Sequence, residues 1–249
     1  MSLVVSDEGP IRTLRIDRED KLGALSTGIV TALGDEFTAL KSSRDIRVVI
    51  ITGTGRGFIA GADIEEYSNA TPEVFEEYQR FSRDVFESLA ELPQATIAAV
   101  NGYAFGGGFE IALACDFILA SPNARFGLPE ITLGLVPGGG GIGRLADATS
   151  PRFAKELMMT GRPVAPPEAL AHGILSEVTG DDDLLDRANA LAAEFAVMAP
   201  LAIRELKALM RDGGPTRERE ALTRLFASAD GREGIAAFIE KRQAEFRGE

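Results

Sequence analysis

The chain has 249 residues with 45% hydrophobic content, enough for one large domain or a core with a smaller appendage, and a formal charge of −12 that argues against nucleic acid as a partner. Its single cysteine and single histidine rule out an internal disulfide and zinc sites built from Cys and His, so any metal would rest on carboxylates alone. The longest apolar runs fall far short of the roughly 20 residues a membrane span requires, and MSLVVSDEGP carries no charged-then-apolar leader pattern, so a cytoplasmic protein is expected.

Strand character recurs at 11–17, 46–52, 96–100, 116–120 and 173–178, where β-branched and aliphatic residues cluster. Between these stretches, apolar residues at three- and four-residue spacing predict helices over 27–41, 72–92, 152–159 and 184–198. Alternation of strand and helix argues an α/β core. After Gly180 no strand candidate remains; runs at 201–210, 217–229 and 235–246 are amphipathic, so the last quarter is expected to be helical. The run Asp181, Asp182, Asp183 marks the change and reads as a solvated turn or cap.

Several motifs invite chemistry that they do not support. GGGGIG at 138–143 satisfies G-x-G-x-x-G, but Pro137 precedes it where a dinucleotide fingerprint needs a strand. GTGRG at 53–57 lacks the Gly-Lys-Ser/Thr of a phosphate-binding loop. His172 sits where a helix hands over to a strand and reads as a structural cap, and Cys115 reads as a small core residue.

YAFGGGFEIALACDF at 103–117 poses a sharper question, because it sets Glu110 among apolar residues behind three glycines. Glycines before a helix leave its first N–H groups unpaired, with the positive end of the dipole behind them, and let a ligand approach the backbone closely. FIAGADIEEY at 58–67 is a second loop of the kind: Ala60, Gly61 and Ala62 precede Asp63, which has capping-box spacing to Glu66. Two such loops could present two N–H groups to one carbonyl oxygen, or be ordinary capped turns. Glu110 follows Gly107 by three residues, and Glu130 lies in FGLPEITLGLVPGGGG behind Pro129. Paired carboxylates with separated pKa values divide acid and base work; singly, each reads as a solvated or capping acid.

FIAGADI, AAVNGYAFGGGFEIALACDFILAS and ARFGLPEITLGLVPGGGGIGRL resemble the consecutive motifs of the crotonase superfamily, its enoyl-CoA hydratases in particular, and ALAHGILSEV and EGIAAFIEKRQAEF extend the likeness over nearly the whole chain. The resemblance implies a spiral of repeated ββα units over 1–195, a C-terminal helical trimerisation region over 196–249, and homotrimers or homohexamers. It implies an acyl-CoA thioester substrate bound by Ala60, Gly61, Ala62, Asp63, Ile64, Gly106 and Gly107, with the Ala62 and Gly107 N–H groups as the oxyanion hole. Glu110 matches the residue that activates water and Glu130 the one that exchanges the α-proton. The implied reaction is reversible hydration of a 2-enoyl-CoA in fatty acid metabolism, with no metal or other cofactor. Enoyl-CoA isomerase, another acyl-CoA lyase or hydrolase, and a non-catalytic acyl-CoA binder stand beside it as alternatives.

Overall fold

The computed structural model describes residues 3–180 and 182–249. The chain opens with an antiparallel pair, β1 (Leu3–Glu8) and β2 (Ile11–Ile16), and then helix α1 (Thr27–Ser42), capped by the Ser26 hydroxyl, which accepts from Ile29 N–H. Three turns of one pattern follow: β3 (Val48–Gly53), β4 (Gly57–Ile59) and α2 (Pro72–Ala90); β5 (Ala95–Val100), β6 (Tyr103–Phe105) and α3 (Gly107–Ala114); β7 (Phe117–Ala120), β8 (Arg125–Gly127) and α4 (Gly141–Ala148). Each turn gives its first strand to a six-stranded sheet, order β1-β2-β3-β5-β7-β9, and its second to a three-stranded sheet, order β4-β6-β8. Apart from β1–β2, the ladders are parallel. This is the expected α/β spiral. Helices α5 (Pro151–Thr160) and α6 (Pro166–Ala171) lead to the short β9 (Glu177–Val178), and α7 (Leu184–Ala196), α8 (Pro200–Asp212), α9 (Pro215–Ala227) and α10 (Ala229–Glu240) complete the chain.

A parallel sheet covered on both faces needs strands apolar on both faces, which is why VVII in β3 and ATIAAV in β5 read as continuous runs. Val49 and Ile51 join the main core with Phe37, Phe58, Phe109 and Phe126. Val48, Ile50, Ile97 and Leu119 face the other way, onto Leu184, Ala188 and Ala192 of α7. Between the two sheets the Asn101 side chain holds the β3–β4 turn, accepting from Gly53 N–H and donating to the Gly55 and Gly57 carbonyls. From the C-terminal helices, the Lys207 ammonium reaches Asp116 at 2.7 Å and ties α8 to the start of β7.

Four expectations shift. The 217–229 run is broken at Ser228, whose hydroxyl accepts from Gly231 N–H and starts α10. Helix α10 stops at Glu240, because Lys241 takes the left-handed conformation (φ 56°), so 241–246 is a tail and not helix. Gly173 also has positive φ, which confines the 173–178 strand to its last two residues. Cys115 is only half-buried against the core, so it is not an interior residue outright. His172 does cap α6, its ring stacked on Phe153 at 3.6 Å between centroids. Asp183 occupies the N-cap position of α7. Asp181 lies outside the described residues.

Gly108 shows how tightly the spiral closes: a Cβ there would stand 1.9 Å from the Ile59 carbonyl oxygen of β4. Neither partner is a flexible side chain, so α3 must move off the small sheet to admit one. Gly108→Ala is therefore expected to cost on the order of 2–4 kcal/mol, measured as a lower urea midpoint at constant slope. An unchanged midpoint would show that α3 does not depend on this contact.

Candidate active site

A cavity of about 360 Å³ opens where α2, the start of α3 and the two glycine-bearing loops converge. Ala60, Gly61, Ala62, Ile64, Gly106, Gly107, Glu110 and Glu130 all line it. Of the site residues read from the sequence, Asp63 alone is turned elsewhere: its carboxylate pairs with Arg18 at 2.7 Å, which holds its pKa below the usual range. The expected capping box is not made, because Glu66 instead accepts from the Thr27 N–H and hydroxyl.

Arg18 also donates to the Ala24 carbonyl, so Asp63 serves to fasten the 60–63 loop to the segment before α1. Leu25 completes the clamp, donating to Gly61 O and accepting from Asp63 N–H, both at 2.8 Å. In the resulting parallel bridge between Leu25 and Ala62, the Ala62 amide points away from Leu25. On the other side, Gly106 has φ 50° and Gly107 is the first residue of α3, where helix geometry leaves N–H groups without an intrahelical partner. The Ala60, Asp63 and Gly106 amides are taken by Leu22, Leu25 and Gly127. Those of Ala62 and Gly107 have no backbone acceptor among the described residues.

Glu110 is only 3% exposed. Its Oε1 accepts from the N–H groups of Gly139 and Gly141, both at 2.8 Å. These glycines belong to the GGGGIG run that fails as a dinucleotide motif; their work is to carry a carboxylate. A Cβ on Gly139 would stand 2.8 Å from Glu110 Oε2, and one on Gly141 would stand 2.8 Å from Glu110 Cγ. Arg144 fixes the loop by donating to Gly139 O at 2.9 Å while pairing with Glu87. Burial raises the Glu110 pKa, and the Gly141 and Gly139 N–H groups, with Arg144 and Arg83, oppose it. A run of glycines before a helix, 29 residues beyond a buried acid, is the signal that could have found them.

Glu130 sits in the 3-10 turn Pro129–Leu133, closed by left-handed Gly134. Burial, reinforced by the charge of Glu110, pushes its pKa up to about 7 against the pull of its own backbone. Its Oε2 is buried without a hydrogen-bond partner among the described residues. The two carboxyls thus differ in kind: one is held by two backbone donors, the other is half-buried with one oxygen unpartnered and its pKa raised to about 7.

Fold and cavity together define an α/β protein with a largely apolar cavity in which two carboxyl groups stand beside two loops whose Ala62 and Gly107 amides have no backbone acceptor among the described residues. The enoyl-CoA hydratase/isomerase family model matches residues 7–249. A 2,3-dehydroadipyl-CoA hydratase of Escherichia coli (strain K12) is 35% identical over 262 residues, covering 99% of this chain and 98% of the relative. A carnitinyl-CoA dehydratase of Salmonella paratyphi A is 39% identical over 263 residues, with 99% and 98% covered. The crystal structure of enoyl-CoA hydratase from Bacillus anthracis matches with a TM-score of 0.97 at 34% identity over 100% of both chains. The chain belongs to the enoyl-CoA hydratase/isomerase family and has the crotonase fold that its motifs resemble.

The Glu130 carboxyl is expected to titrate near pH 7 in ¹³C NMR of the labelled protein, against a Glu130→Gln control; a midpoint near 4.5 would contradict the burial argument. Because the folded-state pKa is raised, the fold favours the protonated form, and stability is lost as pH rises from about 4.5 to about 7. Glu130→Gln should therefore gain stability relative to the parent at pH 8 compared with pH 4.

Proposed function

We propose that the protein is an enoyl-CoA hydratase, adding water reversibly across the 2,3 double bond of a 2-enoyl-CoA to give a 3-hydroxyacyl-CoA. The reading rests on one observation: two carboxyls of different character, Glu110 and Glu130, line the same cavity as the unpaired Ala62 and Gly107 amides. The thioester carbonyl oxygen accepts from both amides, which stabilise the enolate-like charge of the transition state, each donor contributing roughly 10²- to 10³-fold. Polarisation makes C3 electrophilic. Glu110, ionised and oriented by Gly139 and Gly141, accepts a proton from the attacking water. Protonated Glu130 delivers a proton to C2, and in dehydration its ionised form removes it. Acid–base chemistry of this kind calls for no metal, flavin or nicotinamide.

An isomerase needs a proton carrier such as Glu130 but not a second acid fixed by two backbone donors, so the Glu110 arrangement favours the hydratase. Among the described residues no helix is long and apolar enough to cross a membrane, and a cytoplasmic role in fatty acid metabolism suits a thioester hydratase. Met210, Leu222, Phe226, Phe238 and Ile239 of α8–α10 are exposed. Their exposure on the single chain is the feature that supports a homotrimer or a hexamer of paired trimers, in which they would be covered.

Loss of the conjugated thioester absorbance of crotonyl-CoA is expected on adding protein without cofactor, and a panel of enoyl chain lengths left unchanged would sink the reading. Glu110→Gln keeps an oxygen for the Gly139 and Gly141 donors but removes the base, so hydration should fall by roughly 10² or more while acyl-CoA binding survives. Glu130→Gln should suppress hydration and also abolish α-proton exchange with solvent. In the parent, kcat/KM for hydration and for dehydration should follow one and the same pH profile with a limb near pH 7, since the reaction exchanges no net proton and both directions use the pair of carboxyls carrying one proton between them. A profile flat through pH 7 in both directions would remove Glu130 from the C2 step. Light scattering should give a trimer or hexamer; a mass near 26.5 kDa would overturn the assembly.

A further inference from the structure

Away from the carboxyls, one wall of the cavity is the inner face of α2. Phe86 lies against Gly107 and Gly139, its ring 3.6 Å from where a Gly107 Cβ would stand. Going back along the helix, Ser82 is one turn further out, about 6 Å along the axis, and Tyr78, Gln79 and Phe75 are a turn or more beyond it. This is the direction open to an acyl chain whose carbonyl is held at Gly107.

Ser82 is anomalous on this wall. It is only 7% exposed, and its hydroxyl has no hydrogen-bond partner among the described residues. Four buried side-chain polar atoms share that condition, and two of them line this cavity: Glu130 Oε2, which the proposed chemistry uses, and Ser82 Oγ, which it does not. Tyr78 lies one turn from Ser82, which acts on the phenol as a hydrogen-bonding neighbour and lowers its pKa against the larger effect of burial, but no hydrogen bond of ordinary length joins the two hydroxyls. A buried hydroxyl left unpaired is costly, and a ligand oxygen entering the cavity beside it would complete it.

The charge around this wall limits what that ligand brings. None of the lining residues is Lys, Arg or His, whereas Glu110 and Glu130 line the cavity themselves. Burial, with the negative charge of Glu130 and Asp63, raises the Tyr67 phenol; Tyr78 is raised by burial, with Glu66 and Asp63 adding to it. A carboxylate entering here would be desolvated with no cation on the lining to meet it and two acids beside it; Arg83 and Arg144, which act on Glu110, stand outside that lining. A neutral oxygen meets neither penalty, and a serine hydroxyl can donate to it or accept from it.

Building on the hydratase reading, we propose that this site takes 2-enoyl chains carrying a neutral oxygen, a hydroxyl or a carbonyl, hydrogen-bonded to Ser82, and discriminates against chains that end in a carboxylate. The preference separates this chain from a hydratase for a dicarboxylic acyl group, although one such relative shares 35% of its residues. Ser82 is thereby a specificity residue and has no part in bond making.

The test compares kcat/KM for 2-hexenoyl-CoA, its 4-, 5- and 6-hydroxy derivatives, and 2-hexenedioyl-CoA, with the parent and with Ser82→Ala. One hydroxylated chain should exceed 2-hexenoyl-CoA, and Ser82→Ala should lower that ratio by roughly tenfold, the effect of one neutral hydrogen bond in a buried site. The dicarboxylic chain should fall at least roughly tenfold below 2-hexenoyl-CoA, because its carboxylate is buried unpaired. A ratio indifferent to Ser82→Ala, no preferred hydroxy chain, or efficient turnover of 2-hexenedioyl-CoA would each overturn the proposal. If no enoyl chain is hydrated, the hydratase reading fails, and calorimetry with hexanoyl-CoA and its hydroxy derivatives still decides this one: equal affinities, or a preference that Ser82→Ala leaves intact, would overturn it.

Discussion

The fold is organised around a carboxylate that it cannot leave alone. Burial of Glu110 on the first turns of α3 raises its pKa, and two N–H groups from the opening of α4 hold Oε1 and oppose that rise. That interaction joins consecutive turns of the spiral, since α3 belongs to one ββα unit and α4 to the next. It leaves Oε2 unbonded by these donors and beside the cavity. The carboxylate is thus restrained through one oxygen and available through the other, an arrangement that serves a base better than a freely rotating acid.

Space is the second constraint. Glycines at 106, 107, 108, 139 and 141 are each close enough to another element that a Cβ would press on it: on Glu130, Leu25, Ile59, Phe86 with Glu110, and Glu110 again. Only Gly106 among these also has positive φ, so conformational freedom explains one of them and close approach explains the rest. The cavity owes its form to glycine backbone pressed against side chains of neighbouring elements, and at Gly108 against the backbone of Ile59. Arg18 and Arg144 act from outside, each fixing a loop through a carbonyl oxygen, at Ala24 and Gly139.

What the sequence revealed follows the same physics. Strands buried on both faces announce themselves, so β3 and β5 were legible, whereas β4, β6 and β8, three residues each, carry too few side chains to show a period. Glu110 and Glu130 were legible because acids in apolar, glycine-rich company are chemically out of place. Asp63 was misread for a related reason: spacing proposes a capping box, but Arg18, 45 residues away in sequence, competes for the carboxylate and wins. Gly139 and Gly141 were passed over because a motif tested for one ligand says nothing about an acid supplied by the protein itself. Ser82 left no trace at all, since an amphipathic helix shows which face is buried but not which buried hydroxyl goes unpaired.

The division between family and substrate has a structural counterpart. Around Glu110 and Glu130 the cavity is walled by glycines whose replacement collides with neighbouring elements, so this half of the cavity tolerates little change. The α2 wall is made of side chains, Phe75, Tyr78, Gln79, Ser82 and Phe86, of which Phe86 alone belongs to the main core. Relatives named for dicarboxylic and for carnitinyl thioesters match this chain equally in extent. That is the pattern expected when the reaction is set by the rigid half and the acyl group by the variable one. The charge that an acyl tail can bring is then decided locally, by whether the cavity lining offers a cation, and in this chain the lining offers hydroxyls, an amide, aromatic rings and two acids, while Arg83 of α2 stands outside it.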